Sequence, residues 1–361
     1  MNLLFLTCEG GLTGNTRSTS YLARGLSDRG HNVFVGCPEE SLLSELLANS
    51  DVRIIPISFR RKFHLPTMRK IRDLCRAENI QIINCQSSAD RYNAIFAGWF
   101  YKLPAHVIHT RRQTPKSQGG AIQRAFYRRG TRSFVVVSEQ LEETFVKRGY
   151  PGEHIKVIYN GIPAEFYESA DDEVTRKLAD QFGIAPNDRV VGSISRLKNQ
   201  EQLVRAAKYL PPDIKLMFVG IERGIFDELA KELELENEII YAGIVPPSEV
   251  VNYYRLFDLF VLPSTMDGFG LVLVEAMGLG VPVIGTRWEG IIDVLDGERN
   301  GLWFEDGDIR ELAEKIRLVL SDEEICNRLV ENGLKAARER FTVENTVDNY
   351  EEYFRSLIRE G

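Results

Sequence analysis

Residues 258–285 read DLFVLPSTMDGFGLVLVEAMGLGVPVIG and give the clearest indication of the fold. An apolar run, DLFVLP, is followed by a loop of small and polar residues, STMDGFG, and then by a helical stretch, LVLVEAMGLG. A second short apolar run begins at Val281. A strand, a small-residue loop, a helix and another strand in this order are typical of a parallel sheet that helices cover on both faces.

Similar apolar runs recur along the whole chain. They are NLLFLT, HNVFVG, VRIIPI, IQIINC, AHVIHT, RSFVVV and IKVIY, and then RVVGSIS, IKLMFVG, EIIYAG, LFVLPS and VPVIGT. Turn residues ending at Pro163 separate the two groups, and 361 residues suffice for two hydrophobic cores. The sequence therefore predicts an α/β protein of two Rossmann-like, doubly wound domains, with an N-terminal domain at 1–163, a connection at 164–188 and a C-terminal domain at 189–340.

The composition is that of a globular protein. Hydrophobic residues make up 43% and charged residues 27% of the chain, and no apolar stretch is long enough to span a membrane. The N-terminus, MNLLFLTCEGG, lacks a basic leader and reads as a buried strand, so we expect a cytoplasmic protein. Five scattered cysteines without a CxxC pair argue against disulfides and against a zinc site.

Charge is distributed unevenly along the chain. Residues 1–164 contain 23 Lys+Arg and 13 Asp+Glu, a net charge of +10, and the remainder carries −17. The basic residues cluster at Arg60–Arg76 and Arg111–Arg132, which predicts an anionic partner for the N-terminal half. Phe63, Leu65 and further apolar residues interleave with the first cluster, as in segments that contact an anionic membrane. The same pattern also fits a helix packed on its sheet.

The loop at 264–270 is a candidate anion site. Ligands of open α/β sheets bind beyond the carboxyl ends of the strands, where helix N-termini hold anions. Gly268 allows close backbone approach, and Asp267 and Glu275 offer carboxylates for paired sugar hydroxyls. The N–H groups that would point at a diphosphate are those of Gly270, Leu271 and Val272. Alternatively, Asp267 only caps the helix and Glu275 faces solvent.

The segment PSTMDGFGLVLVEAMGLGVPVIG resembles the E-x7-E signature of retaining glycosyltransferases of family 4, whose GT-B fold has two Rossmann-like domains facing a cleft. The resemblance implies that the first acid contacts the donor hexose and the second the ribose, which assigns these roles to Asp267 and Glu275. Phe269 belongs to the same donor-binding segment. Asp267 stands where the family has glutamate, so the shorter side chain affects the expected hexose contact.

A second segment, VVGSISRLKNQEQLVRA at 190–206, is similar to the strand and loop with which the family grips the donor diphosphate. The resemblance gives this role to Arg196 and Lys198, although the loop between them is shorter than usual. Two cations there would stabilise the charge that develops as the glycosidic bond breaks. Either could instead be a surface residue at the start of a helix. The predicted catalytic residues are therefore Arg196, Lys198 and Asp267.

In the N-terminal domain, TGNTRSTSYLARGLSDRGHNVFV resembles the glycine-rich loop of the family. Gly14 aligns with the key glycine of that loop, which implies contact with the donor. Arg17 aligns with the common arginine of the loop, which implies a place on the acceptor side. The GxGxxG fingerprint is absent, which argues against a nicotinamide enzyme. The tail, NYEEYFRSLIREG, looks like the last helix of the family, so residues 341–361 are expected to cross back to the N-terminal domain. An ordinary amphipathic terminal helix is the alternative.

The stretch HVIHTRRQTPKSQGG lies where family members commonly place a histidine near the reacting sugar carbon. Alignment on Thr110 puts Arg112 at that position. Arginine cannot act as a base near neutral pH, so it must serve by binding charge. We interpret Arg111, Arg112 and Lys116 as a loop that faces an anionic acceptor.

The resemblance implies a retaining hexosyltransferase that moves a sugar from a nucleoside-diphosphate sugar to a hydroxyl of a glycan or lipid-linked acceptor. The C-terminal domain would bind the donor and the N-terminal domain the acceptor. We expect no cofactor, no metal, because no DxD-type box ends a strand, and no nucleic acid partner. Two alternative functions remain open, a sugar-nucleotide epimerase and an inactive sugar-nucleotide-binding subunit. Peripheral contact with the inner face of a membrane also remains open.

Overall fold

The computed structural model describes residues 1–11, 13–114, 120–265 and 267–360, which form two compact units. Unit 1 comprises Met1–Gly161 and Val343–Gly361, and unit 2 comprises Ile162–Thr342. Each unit contains one parallel sheet and its own hydrophobic core.

Seven strands form the sheet of unit 1. They are β1 (Asn2–Leu6), β2 (Asn32–Cys37), β3 (Arg53–Pro56), β4 (Ile82–Cys85), β5 (His106–Arg111), β6 (Ser133–Val136) and β7 (Ile155–Val157). All pairs are parallel, in the order β3-β2-β1-β4-β5-β6-β7. Strands β4 and β6 are buried along their whole length, as expected in a parallel sheet that helices cover on both faces.

Helices connect these strands. They are α1 (Gly14–Asp28), α2 (Leu42–Leu47), α3 (Leu65–Ala77), α4 (Ser88–Tyr101), α5 (Ala121–Gly130) and α6 (Glu139–Lys147), with a 3-10 turn at Gly152–His154. Helix α1 begins with the side chain of Thr13 accepting a hydrogen bond from the N–H of Thr16, so a local cap fixes the start of the glycine-rich segment.

Unit 2 opens with α7 (Ala164–Glu168) and α8 (Asp172–Gln181), which occupy the predicted connection. Its strands are β8 (Arg189–Ile194), β9 (Ile214–Val219), β10 (Ile239–Gly243), β11 (Leu259–Leu262), β12 (Val283–Thr286) and β13 (Leu302–Phe304). The order is β10-β9-β8-β11-β12-β13, and all pairs are parallel. The remaining helices are α9 (Glu201–Ala207), α10 (Asp227–Glu232), α11 (Val250–Tyr254), α12 (Leu271–Gly278), α13 (Glu289–Leu295), α14 (Ile309–Ser321) and α15 (Glu323–Lys335), and a π-helical turn follows at Ala336–Arg340.

The last helix, α16 (Val343–Arg359), belongs to unit 1. It packs on α1 so closely that a Cβ atom on Gly25 would lie 2.5 Å from Cγ2 of Val347. Tyr350, Phe354 and Leu357 enter the same core as β1. This helix therefore completes the core of unit 1.

The predicted fold class is confirmed, since both units are doubly wound parallel sheets. In each sheet the strand order reverses beside the first strand, between β1 and β4 in unit 1 and between β8 and β11 in unit 2. Such reversals open a crevice at the carboxyl ends of the strands, where ligands bind. Within the described residues, no helix combines the length and the apolar character that crossing a membrane requires.

Candidate functional site

The candidate site of unit 2 lies at the reversal between β8 and β11. The loop after β8 carries Arg196 and Lys198, and the loop after β11 carries Asp267 and Gly268. Because β8 and β11 are hydrogen-bonded neighbours, their carboxyl ends bring the two loops together.

An ion pair joins these two loops directly. Lys198 Nζ lies 2.6 Å from Asp267 Oδ1, and both side chains are largely shielded from solvent. The other carboxylate oxygen of Asp267, Oδ2, is buried and accepts no hydrogen bond from any described residue. Arg196 is exposed, and its guanidinium forms no ion pair within the described ranges. The structure thus brings Lys198 and Asp267 together and leaves Arg196 open to solvent beside them.

Gln200 supports the loop after β8 and is not among the predicted site residues. Its buried side chain donates to Ser195 Oγ at 2.5 Å and to the carbonyl of Arg196 at 3.0 Å. Its amide oxygen accepts from the N–H of Lys198 at 2.5 Å. One side chain therefore holds the backbone of both predicted cationic residues. A polar residue next to a predicted loop carries no signal of this role in the sequence.

Helix α12 begins beside the ion pair. Gly270 has a φ of 80°, a left-handed conformation that favours glycine, and no side chain caps the helix. The first-turn N–H groups, those predicted at Leu271 and Val272, therefore remain available for an anion.

Gly290 at the start of α13 packs against the loop before α12. A Cβ atom on Gly290 would lie 2.0 Å from the carbonyl oxygen of Gly268. Phe269, which is buried, packs edge-on against Phe341 at 5.5 Å between ring centroids. These contacts fix the loop backbone, and Gly290 was not predicted because its partner lies in another element.

Glu275 is fully buried on α12, so it does not face solvent as the alternative interpretation held. The hydroxyl of Tyr254, which is also buried, donates to Glu275 Oε2 at 2.8 Å. The ribose contact stays a prediction.

Arg112 occupies a comparable position in unit 1, directly after β5. Its Nη1 donates to Asn15 Oδ1 at 2.6 Å, at the start of α1, and to Gln86 Oε1, after β4. Asn15 in turn donates to Glu9 Oε2 at 2.8 Å. Burial lowers the pKa of Arg112 from its ordinary value. A network of neutral amides therefore positions this cation at the carboxyl ends of β1, β4 and β5.

Arg111 points to the opposite face of the sheet, because successive strand residues alternate. Its guanidinium lies over the rings of Tyr127 and Phe145, at 5.8 and 5.6 Å. Burial is the main cause that lowers the pKa of Arg111 to about 9, and the nearby Arg91 lowers it further. The structure thus separates Arg111 from Arg112, although the sequence placed both in one loop. Lys116 lies outside the described residues.

Gly14 is the first residue of α1, and Arg17 follows on the first turn. The guanidinium of Arg17 donates to the hydroxyl of Tyr21 at 3.1 Å, along its own helix. Their donor and acceptor roles stay predictions. Within the parts of the chain that the structure describes, no group of three or more His, Cys, Asp or Glu is placed to hold a metal ion.

Comparisons with known proteins match both units. Residues 13–166 match the model of Glycosyltransferase Family 4, and residues 175–336 match that of Glycosyl transferases group 1. The chain is 31% identical over 217 residues to N-acetyl-alpha-D-glucosaminyl L-malate synthase of Bacillus anthracis, covering 58% of this chain and 56% of that protein. It is 29% identical over 240 residues to D-inositol 3-phosphate glycosyltransferase of Corynebacterium urealyticum, covering 62% and 56%. The matched segment thus spans little more than half the length of these relatives.

A solved structure is similar over nearly the whole chain. HepE of Anabaena, in complex with UDP-glucose, superposes with a TM-score of 0.85 and 25% identity, covering 99% of this chain and 100% of that one. Two doubly wound units of this kind define a GT-B protein. With matches in both units, the chain belongs to the family 4 glycosyltransferases, group 1, as its sequence indicated.

Proposed function

We propose that this protein transfers a sugar from a nucleoside-diphosphate sugar to an acceptor hydroxyl, with retention at the anomeric carbon. The observation that carries the proposal is Asp267, which holds Lys198 through one oxygen and keeps the other buried and without a described donor. An unpaired buried acceptor is costly, and a donor-sugar hydroxyl would satisfy it.

The groups around Asp267 suit a diphosphate. Arg196 and Lys198 supply positive charge, and the uncapped N-terminus of α12 supplies N–H groups and the positive end of the helix dipole. These groups would bind the diphosphate and stabilise the charge that grows on it during the reaction.

The proposed reaction needs no protein base. The bond between the anomeric carbon and the β-phosphate oxygen breaks, and the acceptor oxygen bonds to that carbon on the same face. The acceptor proton passes to the departing phosphate oxygen. The task of the protein is then to position both substrates and stabilise the diphosphate.

We infer that the donor is a UDP-sugar, because HepE, the 25% identical structure, was solved with UDP-glucose. The same proposal includes a hexose as the sugar that this protein transfers. Two relatives are named for reactions with L-malate and with D-inositol 3-phosphate, both of which are anionic. This supports an anionic acceptor held by Arg112, which forms no ion pair with a carboxylate in the described residues.

An incubation with UDP-sugars, with and without acceptors, tests the class of reaction. We expect UDP release that depends on the acceptor, and a product whose anomeric configuration, read by NMR, matches that of the donor. A chelator should leave the rate unchanged, since the proposed chemistry uses no metal.

Other outcomes identify the alternatives. A new sugar formed without acceptor indicates an epimerase, and binding without turnover indicates an inactive subunit. An inverted product, or activity that a chelator abolishes and manganese restores, contradicts the proposed mechanism.

Replacing Arg112 by lysine tests the anionic acceptor. Lysine keeps the charge but loses the planar fork that binds carboxylate or phosphate through two hydrogen bonds. We expect the Michaelis constant for the acceptor to rise roughly tenfold, the equivalent of one lost charged hydrogen bond. Donor binding and hydrolysis of the donor without acceptor should change little.

Arg76→Lys, at an exposed position of α3, is the matched control and should leave acceptor kinetics unchanged. Equal losses in donor hydrolysis and acceptor use would mean that Arg112 only holds Asn15 and Gln86 in place. An uncharged sugar as the best acceptor would equally refute the idea.

A further inference from the structure

Unit 1 exposes a group of apolar residues at the start of α3 and on α4 and α5. It consists of Phe63, Leu65, Trp99, Phe100 and Ile122, whose exposed fractions range from 44% at Trp99 to 88% at Ile122. We call these five residues the apolar surface. Single exposed apolar residues are common in proteins, but a contiguous group marks an interaction site.

Ring contacts beneath the apolar surface make it rigid and continuous. Phe96 lies 5.1 Å from Phe63 and 5.9 Å from Trp99 between ring centroids, and Trp99 lies 5.0 Å from Phe126. Phe96, Phe126 and Ile122 also line one open cavity of about 640 Å³ between α4 and α5. Phe63, which precedes α3, and residues of α4 and α5 are thus joined in one layer. Met68 and Ile71 of α3 are fully buried, so packing on the sheet explains those two residues but not Phe63 or Leu65.

Few acids stand near the apolar surface in the sequence, and α3 and α4 contain one each, Asp73 and Asp90. Between Asp90 and Glu139 there is no Asp or Glu and there are nine Lys or Arg, of which Arg91, Arg111 and Arg112 are not exposed. Lys62 adjoins Phe63, and its Nζ lies 5.1 Å above the ring of Tyr92. Lys102 directly follows α4. Neither lysine forms an ion pair with a carboxylate of the described residues.

Arg129 adds a third cation on α5. It follows Phe126 by three residues and Ile122 by seven, a spacing that puts all three on one face of the helix. Its exposed side chain likewise has no ion-pair partner in the described parts of the chain. Lys62, Lys102 and Arg129 therefore stand next to the aromatic residues in the sequence, and Lys62 also contacts a ring directly.

We propose that the apolar surface docks on an anionic lipid bilayer. Aromatic rings favour the boundary between water and acyl chains, and Lys and Arg bind the lipid phosphates beside them. A symmetric dimer through this surface would place two regions rich in Lys and Arg face to face, which disfavours a second copy as the occupant. The inference does not depend on the proposed transfer reaction.

Vesicle sedimentation with the full chain tests the proposal. We expect the protein to sediment with phosphatidylcholine vesicles that contain phosphatidylglycerol, and roughly tenfold less with phosphatidylcholine alone or at high salt. The double variant Trp99→Ser, Phe100→Ser should lose at least roughly tenfold in binding, since interfacial binding scales with buried apolar area. The double variant Lys62→Glu, Lys102→Glu should show a similar loss of vesicle binding. Leu318→Ser, an exposed apolar position in unit 2, is the control and should bind normally.

A second measurement does not require the surface to be mutated. The chain has three tryptophans, Trp99, Trp288 and Trp303, so Trp288→Phe with Trp303→Phe leaves Trp99 as the only tryptophan, which can be excited selectively over tyrosine. Brominated lipids should quench its emission if Trp99 enters the bilayer. Unquenched emission, binding that ignores phosphatidylglycerol, or surface variants that alter only self-association would overturn the proposal. Binding of an acidic protein to this surface, without any binding to vesicles, would also overturn the proposal.

Discussion

Replacing Arg196 by alanine is expected to abolish most of the transferase activity and to weaken UDP binding by about 1.5 to 3 kcal/mol, the usual contribution of a charged hydrogen bond. This corresponds to roughly 10- to 150-fold in Kd. Arg196 is exposed and forms no ion pair within the described ranges, whereas Lys198 is already engaged by Asp267. Calorimetry with UDP and initial rates with the donor measure both effects.

Two controls make the Arg196 result specific. Arg328→Ala removes an exposed arginine from α15 and should change neither activity nor UDP binding. Arg196→Lys should restore part of the affinity, because charge is kept while the fork is lost. Unchanged affinity in Arg196→Ala would show that the diphosphate is held elsewhere.

The second large effect is expected at Glu275. Glu275→Ala should weaken UDP at least roughly tenfold more than it weakens free pyrophosphate, since only UDP presents the ribose hydroxyls. The same change leaves the buried hydroxyl of Tyr254 without its acceptor, which costs about 1 to 3 kcal/mol of folding stability. Thermal unfolding measured beside ligand affinity separates the two losses.

Two conservative variants separate the roles that Glu275 could have in binding and in stability. Glu275→Gln keeps an oxygen for Tyr254 but removes the charge, and Tyr254→Phe removes the hydroxyl but keeps the carboxylate. We expect the first to affect UDP binding and the second mainly to affect stability. Glu314→Gln, on the exposed face of α14, is the neutral control. Equal weakening of UDP and pyrophosphate by Glu275→Gln would mean that Glu275 acts only through the fold.

The fold could be predicted from the sequence because parallel strands are buried on both faces. Each predicted apolar run coincides with a strand, from β1 to β12. Strand β13 was not predicted, because its three apolar residues, Leu302–Phe304, stand between Gly301 and Glu305, whereas the equally short β7 lies within a longer run, IKVIY. Arg111 and Arg112 point to opposite faces of the sheet, because successive strand residues alternate. The sequence does not show this, since the end of β5 is known only from the structure.

The candidate site was predictable where its residues are close in sequence to strand ends. Asp267 and Lys198 follow β11 and β8, so adjacency of these strands brings them into contact. The supporting contacts were not predictable in the same way. Tyr254 reaches Glu275 from another helix, and Gly290 meets Gly268 through close packing, and neither pairing leaves a local pattern.

The return of α16 to unit 1 has a consequence for synthesis of the chain. Unit 2 is an insertion between residues 161 and 343 of unit 1, so the ribosome finishes it first. The core around β1 must wait for Tyr350, Phe354 and Leu357, which are synthesised after unit 2. A premature stop directly after unit 2 would therefore leave unit 1 without part of its core, although the stop lies outside the segment that contains its sheet.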